Sequence, residues 1–140
     1  MSKLIGIDYG IKRIGVAVAE TETRIATPLT VLDGRNDVTR DARAVADLGE
    51  REGAEAFVVG LPLNMSEEAG SDSDQTRLTR EFAAELERLS GKAVHLQDER
   101  LTSFAADAAL DEAWVKPRDR RGLRDKIAAQ KVLQAYLDQT

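Results

Sequence analysis

The sequence predicts an α/β domain built on a mixed five-stranded sheet, with three antiparallel strands first and helices flanking it. Three observations lead there. Residues 4–32 hold three apolar runs separated by brief polar turns, too close together for intervening helices. Residues 56–60 and 93–97 are short apolar runs set apart by stretches of helical periodicity. The order β-β-β-α-β-α-β-α-α follows, within one domain over residues 1–140 that is long enough to bury a core without staples.

The chain is organised around Leu4-Ile5-Gly6-Ile7-Asp8-Tyr9-Gly10. Leu4, Ile5 and Ile7 make an apolar run typical of a buried strand. Asp8 has two readings. A carboxylate inside such a strand is costly unless it is paired or holds a metal. Alternatively the strand ends at Ile7 and Asp8 opens a turn, which Asp-x-Gly suits. After Lys12 and Arg13, Ile14, Val16 and Val18 alternate with Gly15, Ala17 and Ala19, as in a strand closely overlain on one face. Residues 25–32 supply the third strand, where Pro28 implies an edge or a bulge.

Val38, Ala42, Val45, Ala46 and Leu48 fall at helical spacing and predict a helix over residues 38–52, closed near Gly53. The strand at residues 56–60 is followed by a polar, acidic loop over residues 66–74, at the end of a buried strand where α/β proteins keep their sites. Leu78, Phe82, Leu86 and Leu89 stripe a helix over residues 76–89. The strand at residues 93–97 ends in Asp98-Glu99-Arg100. A helix follows from Leu101-Thr102-Ser103 to Ala113, with Thr102 or Ser103 as its N-cap. Residues 114–122 read as a basic loop and residues 123–137 as the last helix.

Composition narrows the chemistry. There is no cysteine and a single histidine, His95, so a metal site would be built from oxygen ligands and would favour Mg2+ or Mn2+. No apolar run approaches the ~20 residues that span a bilayer, and Met1-Ser2-Lys3 leads into a strand rather than a signal peptide. A cytoplasmic protein without a membrane partner is the expectation. The net charge of −5 argues against nucleic-acid binding over the whole surface but leaves room for a local basic site.

Three carboxylates stand out. Asp8 is the first. Glu99 follows a buried strand, where a surface ion pair is the ordinary alternative. Asp125 heads a helical face carrying Ala128, Ala129, Val132, Leu133 and Tyr136, which points it inward or along the margin of the core; stabilisation of a helix N-terminus explains it equally well in isolation. Convergence of all three would be destabilising without a cation. One or two Mg2+ or Mn2+ ions would neutralise them, activate water and stabilise a leaving oxygen in phosphodiester cleavage. Lys116, Arg118, Arg120, Arg121, Arg124 and Lys126 cluster around Asp125, and Lys12 and Arg13 lie beside Asp8. Such residues position a nucleic-acid strand through its phosphates, although charge runs are more often solvated surface. Trp114 reads as a core plug and His95 as structural.

Five ordered motifs resemble the YqgF family. They are Gly6-Ile7-Asp8-Tyr9-Gly10, Lys12-Arg13-Ile14-Gly15-Val16-Ala17, Gly60-Leu61-Pro62-Leu63-Asn64-Met65, Asp98-Glu99-Arg100-Leu101-Thr102-Ser103, and Asp125-Lys126-Ile127-Ala128-Ala129-Gln130 with Val132-Leu133-Gln134. These are Holliday-junction-resolvase-like proteins assigned as nucleases of pre-16S ribosomal RNA. The resemblance implies a ribonuclease H-like fold. It also implies that Asp8, Glu99 and Asp125 are catalytic metal ligands, with Asp98 a nearby alternative and a fourth ligand unassigned. The stretch from Ser66 to Asp74 departs from the family, which has a shorter glycine-containing segment after its Asn-Met.

The function these features imply is a metal-dependent endonuclease acting on RNA and processing the 5′ end of pre-16S rRNA in ribosome biogenesis. A resolvase of four-way DNA junctions shares the chemistry but needs a dimer for half-site symmetry; the chain carries no strong dimer signal and is expected to be a monomer or weak homodimer. A nucleotide-binding module of the actin-like or sugar-kinase type would need a second domain, for which 140 residues leave no room. A non-catalytic RNA-binding protein is the remaining alternative, and the intact acidic residues argue against it.

Overall fold

The computed structural model describes residues 2–62, 74–99 and 117–140. Five strands, β1 (Lys3–Tyr9), β2 (Arg13–Glu20), β3 (Ala26–Asp33), β4 (Ala54–Leu61) and β5 (Ala93–Asp98), form one sheet in the order β3-β2-β1-β4-β5. β1, β2 and β3 pair antiparallel, and β4 joins β1 and β5 in parallel. The described helices are α1 (Val38–Glu52), α2 (Asp74–Ser90) and α3 (Pro117–Asp138). None of them is long and apolar enough to cross a membrane.

Strand alternation divides the core into two layers. Ile5, Ile7 and Tyr9 of β1, with Ile14 and Val16 of β2, pack against Ala42 and Val45 of α1 and Phe82 and Leu86 of α2. Leu4, Ala17, Ala19, Ala56 and Val58 face the other way, onto Ala129, Val132, Leu133 and Leu137 of α3. This second side is small by design of the sequence. A Cβ built at Gly6 would lie 2.6 Å from Leu133 Cβ, and one at Gly15 would lie 2.0 Å from the Asp125 carbonyl oxygen. Helix α3 therefore rests on strand backbone, which is the close overlay that Gly15, Ala17 and Ala19 predict.

Pro28 lies on the edge strand β3, and the register slips there: Val16 faces Thr30 while Ala17 faces Pro28, leaving Leu29 as the extra residue. Two glutamines of α3 satisfy the start of this edge strand. Gln134 Oε1 accepts from the Ala26 amide at 2.9 Å, and Gln130 Nε2 donates to the Ala26 carbonyl at 3.0 Å. Arg24, in the left-handed region at φ 57°, donates to the carbonyls of Leu137 and Thr140. It thereby brings a cation to a helix end whose own last turn has none.

The basic segment differs from expectation. Helix α3 begins at Pro117, so residues 117–122 belong to its first turns rather than to a loop. Proline suits the first helical position because its missing N–H has no intrahelical role there. Gly122 is carried inside the helix, at a penalty of roughly 1 kcal/mol relative to alanine. Residues 66–73 of the acidic loop, the helix expected from Leu101 to Ala113, Trp114 and Lys116 lie outside the described residues, while Asp74 opens α2 rather than closing the loop. His95 stacks on Tyr136 of α3 with ring centroids 5.1 Å apart, a structural role as the sequence implies.

Candidate active site at the end of the central strand

The strand does not end at Ile7. Asp8 is inside β1, paired across to Gly15 of β2, and by alternation it shares the α3 face with Leu4 and Gly6. Its neighbour Tyr9 points the opposite way and is clamped. The Tyr9 ring stacks on Phe82 at a centroid distance of 4.2 Å, its hydroxyl donates to Asp41 Oδ2 at 2.8 Å, and Gln75 Nε2 donates to its carbonyl at 3.1 Å. Asp41 is fully buried and also accepts the Arg35 amide at 2.8 Å. Burial first, and then the bond to Asp41, hold the Tyr9 hydroxyl protonated far above the usual phenol range. Tyr9→Phe removes one donor from a buried carboxylate and is expected to cost about 2 kcal/mol, measurable by urea unfolding at neutral pH.

Glu99, directly after β5, reaches over the end of β4. A Cβ at Gly60 would lie 2.8 Å from Val132 Cγ2 and 3.1 Å from Glu99 Cγ, so the glycine lets Val132 of α3 and the Glu99 side chain pack directly on the strand end. Burial, then the hydrogen bond with Asp8, then the charges of Asp8 and Asp98 push the Glu99 carboxyl up to about 9. At neutral pH Glu99 therefore keeps its proton and donates it in the hydrogen bond to Asp8.

Asp125 enters from the other side. Its backbone lies on Gly15, and its Oδ2 accepts from Arg13 Nε at 2.7 Å. Burial raises the Asp125 carboxyl, the Arg13 guanidinium lowers it, the charge of Asp8 raises it again, and the net shift is upward. Asp8, Lys12, Arg13, Gln75 and Asp125 line one open cleft of about 330 Å³. Lys12 thus sits in the same cleft as Arg13, as their neighbourhood with Asp8 implies. Arg124 is exposed on α3, one residue before Asp125, while Arg118, Arg120 and Arg121 occupy its first two turns.

The structure therefore brings Asp8 and Glu99 into contact and sets Asp125 in the same cleft as Asp8, held by Arg13. Among the described residues, no three acidic or histidine side chains form a ready-made metal cage. The donor chemistry nevertheless fits a hard divalent cation. Every candidate ligand is a carboxylate oxygen, and Asp8 and Glu99 are adjacent carboxyls kept together by a proton that a cation can replace. Gln75 and Gly60 were not marked as site residues by the sequence. Gln75 is one polar residue among many on an amphipathic helix, whereas Gly60 belongs to a motif and follows a buried strand.

A mixed sheet led by three antiparallel strands, covered by helices on both faces, is the architecture of ribonuclease H-like proteins. RuvC of Thermus thermophilus in complex with a Holliday junction substrate has this fold, with a TM-score of 0.59 and 17% identity over 98% of this chain and 94% of that one. The chain belongs to the RuvX family, described as Holliday junction resolvase, which it matches over residues 2–139. Relatives include a protein of Moorella thermoacetica, 42% identical over 97% of this chain and 94% of its own length. Another, from Anaeromyxobacter, is 43% identical over 97% of this chain and 96% of its own length. Both are named as candidate pre-16S rRNA nucleases.

Proposed function

We propose that this chain is a divalent-cation-dependent endonuclease that cleaves RNA, with the 5′ end of pre-16S rRNA as its substrate and the cytoplasm as its place of work. The single observation that carries the chemistry is the contact between Asp8 and Glu99, two carboxyls that need either a proton or a cation between them. Asp8 and Glu99 are the primary ligands, and Asp125 completes the set from α3. A bound Mg2+ or Mn2+ ion supplies activation of water and stabilisation of the leaving oxygen.

The chain's own groups do the rest. Asp8 is fixed by the backbone on either side of it, through the β2 pairing and the Tyr9 clamp. Lys12 and Arg13 flank the cleft from the β1–β2 turn and supply positive charge to a phosphodiester. Residues 117–126 of α3 include Arg118, Arg120, Arg121, Arg124 and Lys126 against Asp119 and Asp125. Cations near a helix N-terminus oppose the macrodipole, so this charge pattern does not serve helix stability. It suits a phosphate backbone, and binding should weaken steeply with salt.

A branched DNA substrate is the second reading, favoured by the description of the family and by the resolvase-like fold. The two are separated by offering the protein a precursor rRNA fragment and a four-way DNA junction in Mg2+. Cleavage of the RNA at a defined position supports the first reading; cleavage of the junction alone replaces it with the second.

The Glu99 proton gives the site a pH signature. Its folded-state pKa of about 9 lies above the ordinary carboxylate value of 4.5. The folded protein thus binds a proton that the unfolded chain releases, and this contribution is full below about pH 4.5 and lost as pH rises towards 9. Stability of the cation-free protein, kept in chelator, is expected to fall across that window, and Glu99→Gln should flatten the fall. Cation binding displaces the same proton, so affinity for Mn2+ should rise with pH up to about 9 and level off above it. Thermal melts and calorimetric titrations between pH 6 and pH 9 read both effects.

A further inference from the structure

Resting on the cation site proposed above, we infer that Arg13 is an exchangeable counter-ion. It holds Asp125 while the site lacks a cation and turns to the substrate phosphate when a divalent ion engages Asp125. Arg13 Nε donates to Asp125 Oδ2 at 2.7 Å, so the guanidinium sits on an oxygen that a cation would need. The two groups lie in one cleft with Asp8, which brings the guanidinium and any ion held by Asp8 into the same small space. Like charges there repel, and the weaker holder of the carboxylate gives way.

Mobility is unequally divided between the partners. Asp125 is anchored, because its backbone carbonyl lies against Gly15 and its side chain is 19% exposed. Arg13 stands at the start of β2 beside the open turn, with a side chain 39% exposed. The arginine is therefore the partner that moves. Among the described residues, Asp125 is the acidic group that holds it. A guanidinium released into this cleft presents a planar fork of donors that matches a phosphate. The exchange thus couples cation entry to the appearance of a substrate-binding group.

The alternative is that Arg13 stays on Asp125 throughout and merely orients it. The two are separated by Mn2+ affinity of the full chain, measured by calorimetry for the wild type, R13Q, K12Q and D125N. Exchange predicts that R13Q binds Mn2+ about tenfold more tightly, because a competing charge has left the ligand. K12Q, which removes a like charge from the same cleft but not from Asp125, should tighten binding distinctly less. The wild type gives an independent readout that survives any folding defect in the variants. The Arg13 Nε–H resonance should move from its ion-paired position when Mg2+ saturates the protein. An R13Q affinity that is unchanged or weaker, or an Arg13 resonance that stays in place at saturating Mg2+, overturns the exchange. Wild-type Mn2+ affinity retained in D125N would instead overturn the assignment of Asp125 to the cation site, and the exchange with it.

Discussion

Asp8→Asn is expected to lower cation-dependent cleavage by about 10³-fold or more, the scale of losing several kcal/mol of charge stabilisation in the transition state. The fold should survive. Asparagine keeps the shape of Asp8, its backbone pairing with Gly15 is unaffected, and its amide oxygen can still accept the proton that Glu99 carries. The variant should therefore melt close to the wild-type temperature in chelator while losing the gain in melting temperature that Mn2+ gives the wild type. RNA binding should persist, since the basic residues of the β1–β2 turn and α3 are untouched. Loss of activity with a lowered melting temperature in chelator would show that Asp8 serves the fold rather than the chemistry.

Gly15→Ala should have the largest effect on stability of any single-methyl change considered. The added Cβ would stand 2.0 Å from the Asp125 carbonyl oxygen, and that oxygen belongs to helix backbone. It cannot rotate away as a side chain would, so α3 must lift from the sheet. Overpacking of this kind costs about 3 kcal/mol, seen as a lower urea midpoint. Activity should fall further than stability accounts for, because lifting α3 withdraws Asp125 from the cleft that Asp8 lines. Gly122→Ala is the natural control, since a Cβ there meets nothing within 4 Å.

What the sequence made legible was governed by local pattern. The β1–β2–β3 meander follows from three alternating apolar runs, and the edge position of β3 follows from Pro28. The inward face of α3 follows from the spacing of Ala129, Val132 and Leu133 behind Asp125. Asp8 is different. Its local sequence suits a turn as well as a strand, and only the pairing of β1 with β2 on one side and β4 on the other decides for the strand.

The start of α3 departs from the loop its sequence implies for a physical reason. Pro117 and Gly122 are loop formers on average, and the charged stretch around them has no apolar stripe to mark a helix. The proline sits where a helix tolerates it, and packing further along the same helix carries the first turns with it. Long-range contacts explain the rest. Tyr9 meets Asp41 across 32 residues and Gln75 meets Tyr9 across 66, and no periodicity within one segment encodes such partners. The buried Asp41 is the plainest case: nothing in the first turn of α1 marks this carboxylate out, yet it braces the strand that carries Asp8.

The central claim is that Asp8 and Glu99 hold a divalent cation at the end of β1. Its most direct test is the position of Mn2+, located by anomalous scattering in crystals of the full chain. The predicted result is a peak between the Asp8 and Glu99 carboxylates, on the α3 face and within reach of Asp125. Absence of Mn2+ between those two carboxylates, in a protein that still cleaves its substrate only when the cation is present, would contradict the account.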